Sequence, residues 1–228
     1  MTEENPHGMI EGKTMAKTRK SPETNLPKRT IALAFTGASG MPYGMRLLEQ
    51  LIASGQCVWL VYSQAAQVVA KQEMDLVLSS QPRECERLLA RRTGAKTGQL
   101  SVFGRDDWNA PLASGTNPPD AYVICPCTMG TLGEIAAGLA RDLITRGADV
   151  ALKEGRKLIL VPRETPLSAI QLENMLRLSR AGAVILPPNP GFYYCPQSVD
   201  EVIDFVVARI LDQLGIPHKL LKRWGDAE

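Results

Sequence analysis

The chain has 228 residues, with 26 Lys or Arg against 24 Asp or Glu and a formal net charge of +2, a length that suits one substantial α/β unit. Residues 1–29 carry six basic and four acidic side chains, so residues 30–228 balance at 20 of each and offer nucleic acid no electrostatic footprint. No apolar run reaches the 18 residues of a membrane span, and the five cysteines, an odd number, fit a reducing, cytoplasmic compartment better than a disulfide framework.

Residues 1–29 are polar and lack the apolar core of a secretory signal, so they read as a disordered extension, with one domain over 30–228. The domain opens on an apolar run, Ile31 to Phe35, which stops at Gly37-Ala38-Ser39-Gly40. A helical pattern follows at once in Tyr43, Leu47, Leu48, Leu51 and Ile52. Strand, small-residue turn and helix together present backbone N–H groups and a positive helix end to an anion. The plainer reading is that the glycines only permit a tight turn. The dinucleotide fingerprint would need glycines at 37, 39 and 42, where this chain has Gly37, Ser39 and Pro42. The second strand, Val58–Tyr62, ends at Ser63 with no ribose-binding carboxylate, and no Tyr-x-x-x-Lys pair occurs. Both absences point from NAD toward a mononucleotide such as FMN.

Further on, helices are expected from Ala65 to Gln72 and over 83–92, a short strand over Leu100–Phe103, and an ordered loop around Trp108. A strand over Asp120–Cys125 leads into Cys-Pro-Cys-Thr-Met-Gly. Helices are expected over Leu132–Ala140 and Ala148–Glu154, then a strand over Lys157–Val161 and a helix over 167–180. A strand over Ala183–Leu186, a Pro/Gly-rich loop at 187–196 and a helix over 198–214 complete the chain, the last with Val202, Phe205, Val206, Ile210 and Leu214 at helical spacing. Short apolar strands alternating with helices predict a three-layer, doubly wound, mostly parallel α/β sheet of the Rossmann-like or flavodoxin-like kind. Ligands in such sheets bind beyond the carboxyl ends of the strands, where Ser39, Ser63, Thr128, Arg163, Glu164 and the Asn189–Tyr194 loop should converge.

Four cations, Arg146, Lys153, Arg163 and Arg209, suit phosphate oxygens. Taken one at a time, a solvated helix face is the favoured account of Arg146 and Lys153, and pairing with Asp212 or Asp204 that of Arg209. Glu73, Glu164 and the Tyr193 hydroxyl could serve acid–base chemistry, a helix-cap charge being the plain alternative for Glu73. Metal is disfavoured, because Cys125 and Cys127 have only His7 and His218 as histidine company and a closed zinc site needs four ligands.

From about Thr30 to Trp224 the chain resembles the flavin prenyltransferase (UbiX/Pad) family. The resemblance rests on TGASGMPYG at 36–44, Cys-Pro-Cys-Thr at 125–128, ADVALKEGRKLILVPRETPL at 148–167 and LENML at 172–176. It continues in GAVILPPNPGFYYCPQSVDEVIDFVVARILDQLGI at 182–216 and Arg223-Trp224-Gly225. It implies FMN on Gly37, Ala38 and Ser39, on Ser63, and on the turn Thr128, Met129, Gly130 and Thr131, with Arg146 contributing from the same or a neighbouring subunit. It implies dimethylallyl phosphate held by Lys153, Arg163, Tyr193 and Arg209, with Glu164 nearby and Ser39, Glu73, Glu164 and Tyr193 in the chemistry. The implied reaction joins the dimethylallyl group to N5 and C6 of reduced FMN without a metal, for a UbiD-type decarboxylase, in a homo-oligomer that is commonly dodecameric. Trp108 and Trp224 are candidates to stabilise an allylic cation. The chain departs from the family at Thr128, often Ser, at Gln171, usually His, at Gly147, commonly Ala, and at Cys195, frequently His or Arg. The rival readings are an FMN-dependent decarboxylase, acting on cysteine or on a 4-hydroxybenzoate-type acid, and a non-catalytic flavin carrier. The cysteine scheme resembles one with a histidine near the first helix, which this chain lacks between His7 and His218.

Overall fold

The computed structural model describes Met1 and residues 28–221; the expected N-terminal extension, save Met1, Lys28 and Arg29, and Arg223-Trp224-Gly225 lie outside the described residues. Six strands form one sheet: β1 (Thr30–Phe35), β2 (Cys57–Tyr62), β3 (Leu100–Phe103), β4 (Ala121–Cys127), β5 (Lys157–Pro162) and β6 (Val184–Ile185). Every pairing is parallel, in the order β3-β2-β1-β4-β5-β6. The order reverses between β1 and β4, which opens a crevice at their carboxyl ends.

The helices are α1 (Met41–Ala53), α2 (Gln64–Met74), α3 (Pro82–Thr93), α4 (Met129–Ala136), α5 (Leu143–Lys153), α6 (Ala169–Arg180) and α7 (Val199–Leu214). Alternation along the strands explains the two cores. Ile31, Leu33 and Phe35 of β1 face one core with the apolar faces of α1 and α7, while Ala32 and Ala34 face the other with α4 and α5. Helices cover both faces, so β1 and β4 are apolar on both sides and read as continuous runs.

Three helices begin two or more residues from where periodicity predicts, because their caps decide. Thr128 caps α4 by accepting the Thr131 N–H, so α4 starts three residues earlier than expected and ends before Gly138, whose φ is +71°. A reciprocal capping box between Asp142 and Thr145 starts α5 five residues early. The same device, between Ser168 and Gln171, starts α6 at Ala169 and gives the unusual Gln171 a structural task.

Candidate active site

Three runs of backbone donors meet at the carboxyl ends of β1, β2 and β4. Among the described residues, the N–H groups of Gly37, Ala38 and Ser39 find no acceptor, nor do those of Gln64 and Ala65 at the start of α2 or Met129 and Gly130 at the start of α4. Ala38 is itself buried. A buried residue with an unpartnered N–H calls for a hydrogen-bond acceptor, and two helix N-termini nearby favour a negatively charged one. The site therefore fits the phosphate of a mononucleotide. Hydroxyl polarity can be assigned as well. Thr128 Oγ1 accepts the Thr131 N–H at 3.1 Å and donates to Thr131 Oγ1 at 2.9 Å, so the Thr131 proton remains available for an anion. Ser63 caps α2 by accepting from the Ala66 N–H at 3.1 Å, which leaves its own proton available.

The first glycine turn works differently from the sequence-based expectation. The N-terminus of α1 is not offered to a ligand: Glu73, from α2, accepts the Gly40 N–H at 3.0 Å and the Met41 N–H at 2.8 Å. The next position is Pro42, which has no N–H, and the Tyr43 N–H bonds the Gly40 carbonyl at 3.1 Å. Glu73 is thus the anion of α1, and the dipoles left for a ligand belong to α2 and α4. The glycines also have structural reasons. Gly40 sits at φ +115°, and a Cβ on Gly37 would lie 2.4 Å from the Ala65 Cβ.

Arg163, just beyond β5, reaches the same turn, with Nε 3.2 Å from the Ser39 carbonyl. No carboxylate lies within ion-pair distance of it among the described residues. Arg163 and Glu164 also line a cavity of about 460 Å³ walled by Pro162, Pro166, Leu167, Met175, Pro187 and Pro188. A cation beside a pocket with several apolar walls suits an anionic group carrying a short hydrocarbon.

In the single chain each of the other three cations pairs with a carboxylate close by in sequence. Arg146, the fourth residue of α5, pairs with Asp149 at 2.6 Å and donates to the Ala113 carbonyl. Lys153 lies ten residues after Leu143, hence ~15 Å along α5 toward the amino ends of the strands, where it pairs with Glu154 and holds that carboxyl below its ordinary range. Arg209 pairs with Asp212 at 2.9 Å, eleven residues or ~16 Å beyond the Ser198 cap of α7. Tyr193 packs edge-on against Phe205 of α7, with ring centres 6.0 Å apart. Trp108 is exposed, on the loop after β3. The amides of Gln64 and Ala65 were missed by sequence reasoning, although Ser63 before a helical pattern is a recognisable cap signal. Among the described residues no cluster of His, Cys, Asp or Glu could hold a metal, and no helix is long and apolar enough to cross a membrane.

A parallel sheet with unpartnered amides and hydroxyls at its switch point is the frame of a nucleotide-binding α/β protein, and the Flavoprotein family model matches residues 19–211. Flavin prenyltransferase UbiX of Pseudomonas aeruginosa is 55% identical over 200 residues, covering 88% of this chain and 95% of that protein. The crystal structure of AnUbiX in complex with FMN and dimethylallyl pyrophosphate superposes with a TM-score of 0.78 at 40% identity, covering 88% of this chain and 100% of that one. A dodecameric FMN-dependent UbiX-like decarboxylase from Escherichia coli O157:H7 gives 0.76 at 41%, covering 86% and 98%. The chain belongs to the Flavoprotein family, in its UbiX-type flavin prenyltransferase branch.

Proposed function

We propose that this protein transfers the dimethylallyl group of dimethylallyl phosphate to N5 and C6 of reduced FMN, independently of metal, and that the prenylated FMN passes to a UbiD-type decarboxylase. The observation that carries the reading is Arg163. It has no carboxylate partner among the described residues, and it stands between the amide-rich turn and a cavity large enough for a five-carbon unit. When bound, reduced FMN supplies the electron-rich atoms that accept the allylic carbon. Its phosphate would lie on the amides of 37–39, 64–65 and 129–130, with the Ser63 and Thr131 hydroxyls donating. As the allylic C–O bond breaks, the electron pair leaves with the phosphate, and Arg163 stabilises the growing charge; one such preorganised donor is commonly worth ~100-fold or more in rate. The apolar wall gives the five-carbon unit a surface to pack against. Glu164 stands beside Arg163, with Oε1 accepting the Thr165 N–H at 3.1 Å. Glu73 touches the turn through both oxygens: Oε2 accepts from the Gly40 and Met41 N–H groups, and Oε1, 3.2 Å from the Gly40 nitrogen, keeps a lone pair for a proton released on ring closure.

Arg146, Lys153, Arg209 and the Tyr193 hydroxyl belong to this site in the proposal, the three cations arriving from neighbouring copies in a homo-oligomer, a dodecamer by likeness to the E. coli relative. The outward apolar face of α6, with Ile170 at 71% exposure and Leu176 at 50%, supports such assembly. Five free cysteines accord with the cytoplasm.

The test is anaerobic mixing of the protein with reduced FMN and dimethylallyl phosphate, followed by flavin mass and phosphate release. A gain of one C5H8 unit with stoichiometric phosphate is expected. An unchanged flavin, with FMN bound and the pyrophosphate also tried, refutes the proposal in favour of a decarboxylase or carrier.

A further inference from the structure

Four polar side chains are buried among the described residues: Thr36, Gln56, Gln99 and Thr145. Burying a polar group is unfavourable unless its bonds are made, so each of them asks for a purpose. Gln56 and Gln99 tie loops at the amino end of the sheet, and Thr145 completes the cap of α5. Thr36 stands alone at the switch point, 1% exposed, between the last residue of β1 and Gly37.

Its hydroxyl is used in both directions. Oγ1 donates to the Pro126 carbonyl at 2.7 Å and accepts the Thr128 N–H at 2.8 Å, while the Thr36 N–H also donates to Pro126 O at 3.2 Å. The bonds join residues 90 and 92 positions apart. They extend into a chain in which the Thr131 N–H bonds Thr128 Oγ1 and the Thr128 N–H bonds Thr36 Oγ1. One anion-facing amide run begins at the next residue, Gly37, and the other begins immediately after Thr128. Both hang on one buried hydroxyl.

We propose that Thr36 is a positioning residue that fixes the first turn of α4 against the glycine turn and thereby sets recognition of the phosphate end of the flavin nucleotide. It touches no ligand itself and acts by orienting the Thr128 N–H inward, so that the Met129 and Gly130 N–H groups and the Thr131 hydroxyl face the crevice. The inference rests on the reading that FMN is the ligand with its phosphate on these amides.

Binding of FMN and of riboflavin, which lacks the phosphate, separates the two claims. For wild type, Thr36→Val and Thr36→Ser, both dissociation constants are measured by quenching of flavin fluorescence. Valine keeps the shape and loses both hydroxyl bonds. Thr36→Val should weaken FMN about tenfold, the usual consequence of one orphaned buried N–H, leave riboflavin within about twofold, and be rescued by Thr36→Ser. A wild type that binds riboflavin as tightly as FMN refutes the phosphate reading beneath the inference. A wild type that prefers FMN, with Thr36→Val keeping that preference or losing both ligands equally, overturns the positioning role alone. If Thr36→Val does not fold, Thr36→Cys, with a weaker donor and acceptor, is read by the same ratio: a reduced preference for FMN supports the inference and an unchanged one overturns it.

Discussion

Gly37 offers the sharpest test of the packing around the site. An added Cβ would stand 2.4 Å from the Ala65 Cβ, with the Ala65 backbone next at 3.4 and 3.5 Å. Methyl carbons rest near 3.5–4.0 Å, so Gly37→Ala must push the glycine turn and the first turn of α2 apart by roughly 1 to 1.5 Å. Overpacking of this kind costs about 1–3 kcal/mol, which for a domain of this size lowers the melting temperature by roughly 2–10 °C. The obstruction is a single methyl group, so Gly37→Ala combined with Ala65→Gly should regain most of that loss, less about 1 kcal/mol for glycine in the helix. Thermal and urea unfolding of the two single variants and the double variant gives the coupling directly. The same displacement moves the amides of 64–65 away from those of 37–39, so FMN affinity should fall and recover with stability. A double variant no more stable than Gly37→Ala would refute the claim that Ala65 is what demands glycine at 37.

The remaining predictions concern charge and thiols. Arg163→Leu should lower kcat/KM for the allylic phosphate about 100-fold with flavin affinity little changed. If Lys153 and Arg209 reach the crevice only across a subunit boundary, mixed oligomers of two inactive variants, Arg163→Leu and Lys153→Ala, should regain part of the wild-type activity, and a strict absence of complementation would place all the cations in one subunit. Exposed Cys195 should react first with a thiol reagent, whereas buried Cys85, Cys125 and Cys127 should react only on unfolding. Burial raises all three buried thiols from 9.0, pushing Cys127 up to about 12. Between pH 9 and about 12 the unfolded chain therefore ionises these thiols while the native Cys127 stays protonated. Stability should thus be intact below pH 9 and fall above it by about 1.4 kcal/mol per pH unit through Cys127, a slope that urea titrations in reductant at pH 8 and 10 would detect.

Much of this protein is legible in its sequence, because those features depend on neighbours a few positions away. The apolar strands, the alternation of strand and helix, the Ser63 and Thr128 positions before helices and the Arg163-Glu164 end of β5 are all local patterns. So are the i,i+3 acids beside Arg146 and Arg209, and Asp212 does take Arg209 while Asp204 goes to Arg46. Other features follow from strand order alone, which no local periodicity encodes. The β1–β4 neighbourhood brings Thr36 to Pro126 and Thr128. The packing of α2 beside α1 lets Glu73 occupy the helix end that the glycine motif had seemed to reserve for a ligand. The direction of α5 and α7 carries Lys153 and Arg209 away from the crevice, since a helix returning along a parallel strand must end at the strand's opposite end. Short-range propensity and patterning wrote the elements into the sequence, and the sheet's long-range pairing decided which donors remained for a ligand.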